Sequence, residues 1–251
     1  MFYEGFANSY DDMVDWENRL VFEGKYFDKL FKHYGIERIL DVACGTGRHS
    51  ILFAKLGYKV LGVDNNDTML ELASKNAKES GVKGLKIQKA EMSTLSDTVK
   101  GKFNALVCLG NSLPHLVHDE DVLGALGHFH KLLKPGGLLL LQTVYFDHYL
   151  DSADSAVAVR DGVRKGRPVT FRRHYEFKGT KVIFHVSIYD RNSRELLEGF
   201  SSPLNPIRRE LLETYLEKVG FAGMQFFEDI SLKPLTQESR SLIGFSFKPK
   251  A

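Results

Sequence analysis

The 251-residue chain is short of the features that mark several broad classes of protein. It has only two cysteines, Cys44 and Cys108, each isolated in an apolar stretch. They show no spacing of a disulfide framework or a zinc site, so a reducing, cytoplasmic setting is expected. No apolar run approaches the ~20 residues that cross a bilayer; the leucine run at 138–141 is far shorter. Residues 1–5 lack a basic segment leading into an apolar one, so no signal peptide is expected. A formal net charge of +2 supplies no global field to draw nucleic acid or a membrane surface. Internal repeats and low-complexity segments are absent. What remains is a hydrophobic fraction of 43%, enough for the core of one large α/β domain with an insertion.

The chain is organised around Ile39-Leu40-Asp41-Val42-Ala43-Cys44-Gly45-Thr46-Gly47. Ile39, Leu40 and Val42 suit a strand buried on both faces, as in a parallel sheet. Gly45 and Gly47 allow backbone angles closed to other residues and leave bare main chain facing a ligand. A second strand, Lys59-Val60-Leu61-Gly62-Val63-Asp64, follows after one helix and ends in an acid suited to both hydroxyls of a ribose. Together these describe a nucleoside site at the carboxyl edge of a parallel sheet. The third glycine of a dinucleotide fingerprint is replaced by Arg48-His49, and no Lys-Ser/Thr pair marks a Walker loop.

Asp41-Val42-Ala43-Cys44-Gly45-Thr46-Gly47 with Asp64 resembles the first motifs of class I S-adenosylmethionine-dependent methyltransferases. Within them the chain looks most like the glycine and glycine/sarcosine N-methyltransferase group, over roughly residues 8–150. The resemblance implies a Rossmann-like α/β fold: a seven-stranded, mostly parallel sheet with an antiparallel last strand. It implies S-adenosylmethionine as cofactor, held near Ala43, Gly45 and Gly47, with Asp64 and Asn65 at the ribose. Met69, Ala90, Glu91 and Met92 would border the adenine, and Leu109 the cofactor beyond it. The segment from Tyr10 through Trp16 to Arg19 resembles an arm folded over the cofactor, with Arg19 on its carboxylate. Asn111, Tyr10 and His115 are the candidates for orienting the substrate, none as an obligatory base. One departure stands out: where these enzymes carry an Arg that grips the substrate carboxylate, the matching position here is Val144.

The remaining chain fills in that frame. Helical spacing through Tyr26, Phe27, Leu30 and Phe31 predicts a helix ending near Tyr34-Gly35. Helices are expected over 48–56, capped by Thr46, over 68–80, capped by Asp67, over 122–133 and over 207–219. Strands are expected at 85–90, 103–110 and 138–144, with Lys134-Pro135-Gly136-Gly137 reversing the chain before the last. His49 reads as a polar rim residue. Period-two alternation from Val169 to Ile188, with a turn at Lys178-Gly179-Thr180, predicts an antiparallel β insertion. Its basic residues Arg160, Arg164, Lys165, Arg167, Arg172 and Arg173 read as a solvated sheet face rather than an RNA platform. A closing strand pair is expected at 223–227 and 241–247. The expected units are a helical arm (1–35), the cofactor-binding domain (36–145 and 206–251) and the insertion (146–205), covering the active site and conferring specificity.

The expected function is methyl transfer to a small molecule, at nitrogen. O- or C-methylation of an aromatic or quinone metabolite is the alternative, and a non-catalytic cofactor-binding regulatory module is another of a different class. Without the Asn-Pro-Pro-Tyr type sequence of many nucleic-acid and protein amide methyltransferases, a base or glutamine amide is disfavoured. No metal is expected: His115, His118, His128 and His130 have only Asp119 and Glu120 as neighbouring carboxylates. Nothing in the sequence fixes the oligomeric state.

Overall fold

The computed structural model describes residues 2–151, 157–178 and 181–250. Two helices precede the first strand, α1 (Phe2–Met13) and α2 (Trp16–His33). The side chain of Asp15 accepts from Asn18 N–H and starts α2, and Lys32 and His33 occupy its last turn, where a helix favours positive charge. Strands and helices then alternate: β1 (Arg38–Val42), α3 (Arg48–Lys55), β2 (Lys59–Asp64), α4 (Asp67–Ser80), β3 (Leu85–Lys89) and the short α5 (Leu95–Thr98). Next come β4 (Phe103–Cys108), α6 (Asp119–Leu132), β5 (Leu133–Val144) and the short α7 (Phe146–Asp151). Strands β6 (Ala158–Arg164), β7 (Arg167–Lys178), β8 (Lys181–Asp190) and β9 (Leu196–Leu204) follow without an intervening helix. The chain closes with α8 (Arg209–Val219), β10 (Ala222–Phe227) and β11 (Ser241–Phe247).

The main sheet has seven strands in the order β10-β11-β5-β4-β1-β2-β3. Strands β1 to β5 are parallel, and β11 runs antiparallel to both β5 and β10. Because successive residues of a strand point to opposite faces, β1, β4 and β5 feed two cores. Leu40, Leu106, Leu139 and Leu141 pack with Val122, Leu126 and Phe129 of α6 and Leu212 and Leu216 of α8. Ile39, Val107, Leu138 and Leu140 pack on the other face with Phe27, Phe31 and Phe53. Each of those three phenylalanines is fully buried and contributes about 1.5–3 kcal/mol by leaving water. The order reverses between β1 and β4, so the crevice at their carboxyl ends is the place where a ligand meets the sheet.

The second sheet has four antiparallel strands, β6-β7-β8-β9. Its apolar face, Val169, Phe171, Val186 and Ile188, closes over Phe6 and Met13 of α1. The β7–β8 ladder runs to Lys178↔Lys181, while the expected turn residues Gly179 and Thr180 lie outside the described residues. Among the described residues, no helix is long and apolar enough to cross a membrane.

Several local details differ from the sequence reading. The N-cap of α4 is Asn66, whose side chain accepts from Met69 N–H at 2.9 Å; Asp67 is the first helical residue and pairs with Lys89. The N-cap of α3 is the left-handed Gly47, and Thr46 instead donates its hydroxyl to Asp11. Helix α6 begins at Asp119, since three acids in its first turn suit the positive end of the helix. Strand β5 runs through Pro135 with an irregular register, where a Cβ on Gly137 would lie 2.8 Å from the Lys134 carbonyl oxygen. Helix α8 starts at Arg209, two residues later than its apolar pattern.

Candidate active site

Two cavities open at the carboxyl edge of the main sheet. The first, of about 270 Å³, is lined by the end of β1, the Asp64 loop, the loop after β3 and the loop after β4. Nine expected cofactor residues stand on its wall: Tyr10, Ala43, Gly45, Asp64, Asn65, Met69, Ala90, Glu91 and Met92. Gly45 has φ +55°, and a Cβ there would meet no protein atom within 4 Å, so its bare backbone faces open space. Gly47 is different: at φ +77°, its missing Cβ would lie 3.1 Å from the Cβ of Ala73, so it serves the packing of the turn on α4. Ala43 (φ +56°) and Asn111 (φ +67°) hold the same left-handed conformation without being glycine. Such strain at two adjacent strand ends is characteristic of ligand sites.

Asp64 is held from behind. Its Oδ2 accepts from Gly45 N–H at 2.9 Å and its Oδ1 from Asn66 N–H at 3.0 Å. Burial raises its pKa against these backbone hydrogen bonds, and Glu91 adds to the rise. No cation lines this cavity, so the carboxylate is satisfied by neutral donors, as ribose hydroxyls are. The donor set therefore fits an adenosyl group: a desolvated acid with free acceptor capacity, bare glycine backbone opposite it, and the apolar Met69, Ala90 and Met92 beyond. Asp41 lies under the turn, 2% exposed, with Ser50 Oγ donating to it at 2.5 Å. Burial pushes its pKa up to about 7. Burial also raises the Cys44 thiol, which excludes a thiolate nucleophile at neutral pH.

The second cavity, of about 190 Å³, shares Tyr10, Gly110 and His115 with the first. Arg19 and Asn111 stand on this wall rather than on the first. Asn111 Oδ1 accepts from Val144 N–H at 2.9 Å, which locks the loop after β4 to the end of β5. His115 lies beneath the second sheet, with Nδ1 3.2 Å from Ser202 Oγ, and burial pushes its pKa down to about 4. Burial raises Tyr10 in the same way, so both groups between the cavities are neutral at pH 7.

Trp16, Gly47 and Leu109 line neither cavity. Trp16 Nε1 donates to Asp11 at 2.9 Å, and Leu109 is packed in the core. His49 is a correction: it is 7% exposed, not on the rim, with Nε2 2.7 Å from Glu23 Oε2. Burial lowers the His49 pKa, so the ring is neutral and donates this bond. Burial opposes the charge of Glu23, but the hydrogen bonds from His49 and Arg19 outweigh it and hold the carboxyl below its usual range. Arg19 bridges onward, donating to Glu23 Oε1 at 3.0 Å and to Gln142 Oε1 at 2.9 Å. Gln142 Oε1 also accepts from Gly110 N–H at 3.1 Å. Asp11 fastens α1 to the glycine turn through Thr46 at 2.6 Å and Arg48 at 2.5 Å. Sequence reasoning missed Asp11, Glu23 and Gln142; only the four-residue spacing of Arg19 and Glu23 signals part of this network.

Three of the insertion's six expected basic residues form ion pairs. Arg164 meets Glu198 and Arg167 meets Asp190, each at 2.6 Å, and Arg160 reaches Asp15 at 3.9 Å. Against the expected solvated face, Arg160, Arg164 and Arg173 are half-buried, and Arg173 lines the second cavity. Among the described residues, no group of three or more His, Cys, Asp or Glu could hold a metal ion.

Comparison with known proteins agrees with this geometry. Residues 39–137 match a family profile described as a methyltransferase domain. A glycine/sarcosine N-methyltransferase of Parasynechococcus marenigrum is 30% identical over 90% of this chain and 77% of its own. A crystal structure of an S-adenosylmethionine-dependent methyltransferase from Clostridium acetobutylicum superposes with a TM-score of 0.79 at 18% identity, covering 99% of both chains. An amino pentose methyltransferase from Micromonospora echinaspora, solved with S-adenosylmethionine bound, gives a TM-score of 0.73 at 20% identity over 99% of this chain and 97% of its own.

Proposed function

The chain belongs to the class I S-adenosylmethionine-dependent methyltransferases, in the group of the glycine/sarcosine N-methyltransferases, and we propose that it methylates a nitrogen of a small molecule. The observation that carries the choice of nitrogen is the neutral pair between the cavities. His115, with a pKa near 4, is a weak base, and Tyr10 keeps its proton. An amine needs only to arrive unprotonated, whereas an alcohol or phenol needs a base of matched strength.

In this reading Asp64 holds the ribose, Glu91 and the Met92 amide border the adenine, and Arg19 turns toward the cofactor carboxylate. When bound, S-adenosylmethionine would supply an electrophilic methyl group to the amine lone pair, the S–C bonding pair remaining on sulfur and one proton leaving the amine. The protein's part is alignment, worth roughly 7–11 kcal/mol in well-oriented systems. Tyr10 Oη lies 3.7 Å from where a Cβ on Gly110 would stand, so phenol, bare backbone and imidazole together frame the gap between cavities. Helices α1 and α2 form the arm that excludes water from it. The cytoplasm is the proposed setting, consistent with two free cysteines.

The test incubates the enzyme and deuterated-methyl cofactor with metabolite extracts, then identifies labelled products by mass spectrometry. Labelled N-methyl products support the reading; labelled ethers or C-methyl aromatics alone would overturn it.

A further inference from the structure

The two cavities carry opposite charge. The first is lined by Asp64 and Glu91 with no Lys or Arg. The second is lined by Arg19, Arg173 and Arg240 with no Asp or Glu. Arg19 is neutralised by Glu23. Arg173 is half-buried, and no acidic side chain pairs with it among the described residues, whereas the half-buried Arg160 and Arg164 each have an acidic partner. It stands beside Tyr10 and Tyr175, both of which feel its charge. A guanidinium withdrawn from water without a counterion is costly unless a ligand supplies one, and its planar fork matches a carboxylate or phosphate.

The same wall offers Asn111, Gln142, Thr143 and Ser241 as polar partners, and Phe6, Met13, Tyr175 and Phe184 as an apolar side. A ligand as small as glycine would leave that apolar side uncovered. Arg173 comes from β7 and Arg240 from the segment before β11, and both line the cavity together with Val144, the position that carries no charge.

We propose that the second cavity is the acceptor site and that it selects an anionic amine with an apolar body, Arg173 reading the anion. This rests on the N-methylation reading for the amine but not for the anion. Carboxylate and phosphate share the required chemistry, and the cavity is distinguished by charge from one built for a neutral amino sugar.

The test measures binding by calorimetry for 3-phenylpropionate, phenyl phosphate and 2-phenylethylamine, with the wild type, Arg173→Gln and Arg173→Lys. Saturable binding of at least one of the two anions is expected, weakened about 10- to 100-fold in Arg173→Gln, the loss of a charge-assisted hydrogen bond. Arg173→Lys should recover part of that loss, and 2-phenylethylamine should be indifferent to all three. Whichever anion binds tighter identifies the source as carboxylate or phosphate. Unchanged S-adenosylmethionine affinity in Arg173→Gln shows that the variant is folded. Equal anion affinity in wild type and Arg173→Gln, or no saturable anion binding at millimolar concentration, overturns the proposal. Methyl transfer to uncharged amines with a KM unaffected by Arg173→Gln would overturn it too while leaving N-methylation standing. Arg173-dependent anion binding without any N-methylated product would instead retain the anion site and remove the N-methylation reading.

Discussion

The two cavities meet at Tyr10, Gly110 and His115 but are made of different materials. The first is built mainly from strand ends and loops between Val42 and Met92, with backbone N–H groups steering a single acid. The second is assembled from side chains as distant in sequence as Tyr10, Gln142, Arg173 and Arg240. A parallel sheet brings its loop ends together by topology, so a short motif suffices for the first. The second depends on a separate sheet docking on α1, and its composition is free to change without disturbing the first.

The largest test of this contrast is Asp64→Ala. Losing two charge-assisted hydrogen bonds of ~1.5–3 kcal/mol each should weaken cofactor binding at least 100-fold by calorimetry. Anion binding in the second cavity should stay within a few-fold of wild type. A folded variant with normal cofactor affinity would remove Asp64 from the ribose.

The shared wall gives a pH signature. Burial moves His115 from 6.5 in the unfolded chain down to about 4 in the folded protein. Between those values the unfolded chain binds a proton that the folded one does not. The contribution is therefore complete above pH 6.5 and lost as pH falls toward 4, by up to about 3 kcal/mol. Denaturant midpoints at pH 7 and pH 4.5 should diverge less in His115→Asn than in wild type.

The glycine turn sharpens the comparison further. Gly47→Ala meets Ala73 at 3.1 Å in a left-handed conformation and should cost about 1–3 kcal/mol of stability. Gly45→Ala shares the unfavourable φ, but its Cβ enters the open cavity, so its loss of cofactor affinity should exceed that of Gly47→Ala. Thermal melts and calorimetry on the pair would show no such crossover if both glycines only packed the turn.

The smallest expected effect is at Glu23→Gln, which leaves Arg19 without its ion pair while keeping the shape of the site. A stability loss of about 1–2 kcal/mol by chemical denaturation is expected, since the pair is only partly buried. Because Arg19 reaches Gln142 and through it the Gly110 amide, acceptor KM should rise along with it.

The first cavity was legible in the sequence because its geometry is local. Strand, glycine turn, helix and acidic strand end are adjacent, and their spacing alone brings Gly45 to 2.9 Å from Asp64. The seven-stranded sheet with an antiparallel last strand was implied by the family resemblance, and its strand order is seen only in the fold. Capping was less legible: Asn66 and Asp67 are both good N-caps, and only the backbone angles choose between them. His49 was misplaced because its partner Glu23 lies 26 residues earlier on another helix. Arg173 could not be told from Arg172 by pattern, since a strand sends neighbours to opposite faces and the register decides which face is the cavity.

The sequence by itself therefore determined the sheet, the glycine turn and the acid at the end of β2, where contacts are set by short spacing and hydrophobic period. Tertiary structure alone decided the charge of the second cavity, the His49–Glu23–Arg19 chain and the neutral His115, because burial and counterions depend on which distant side chains the fold brings together.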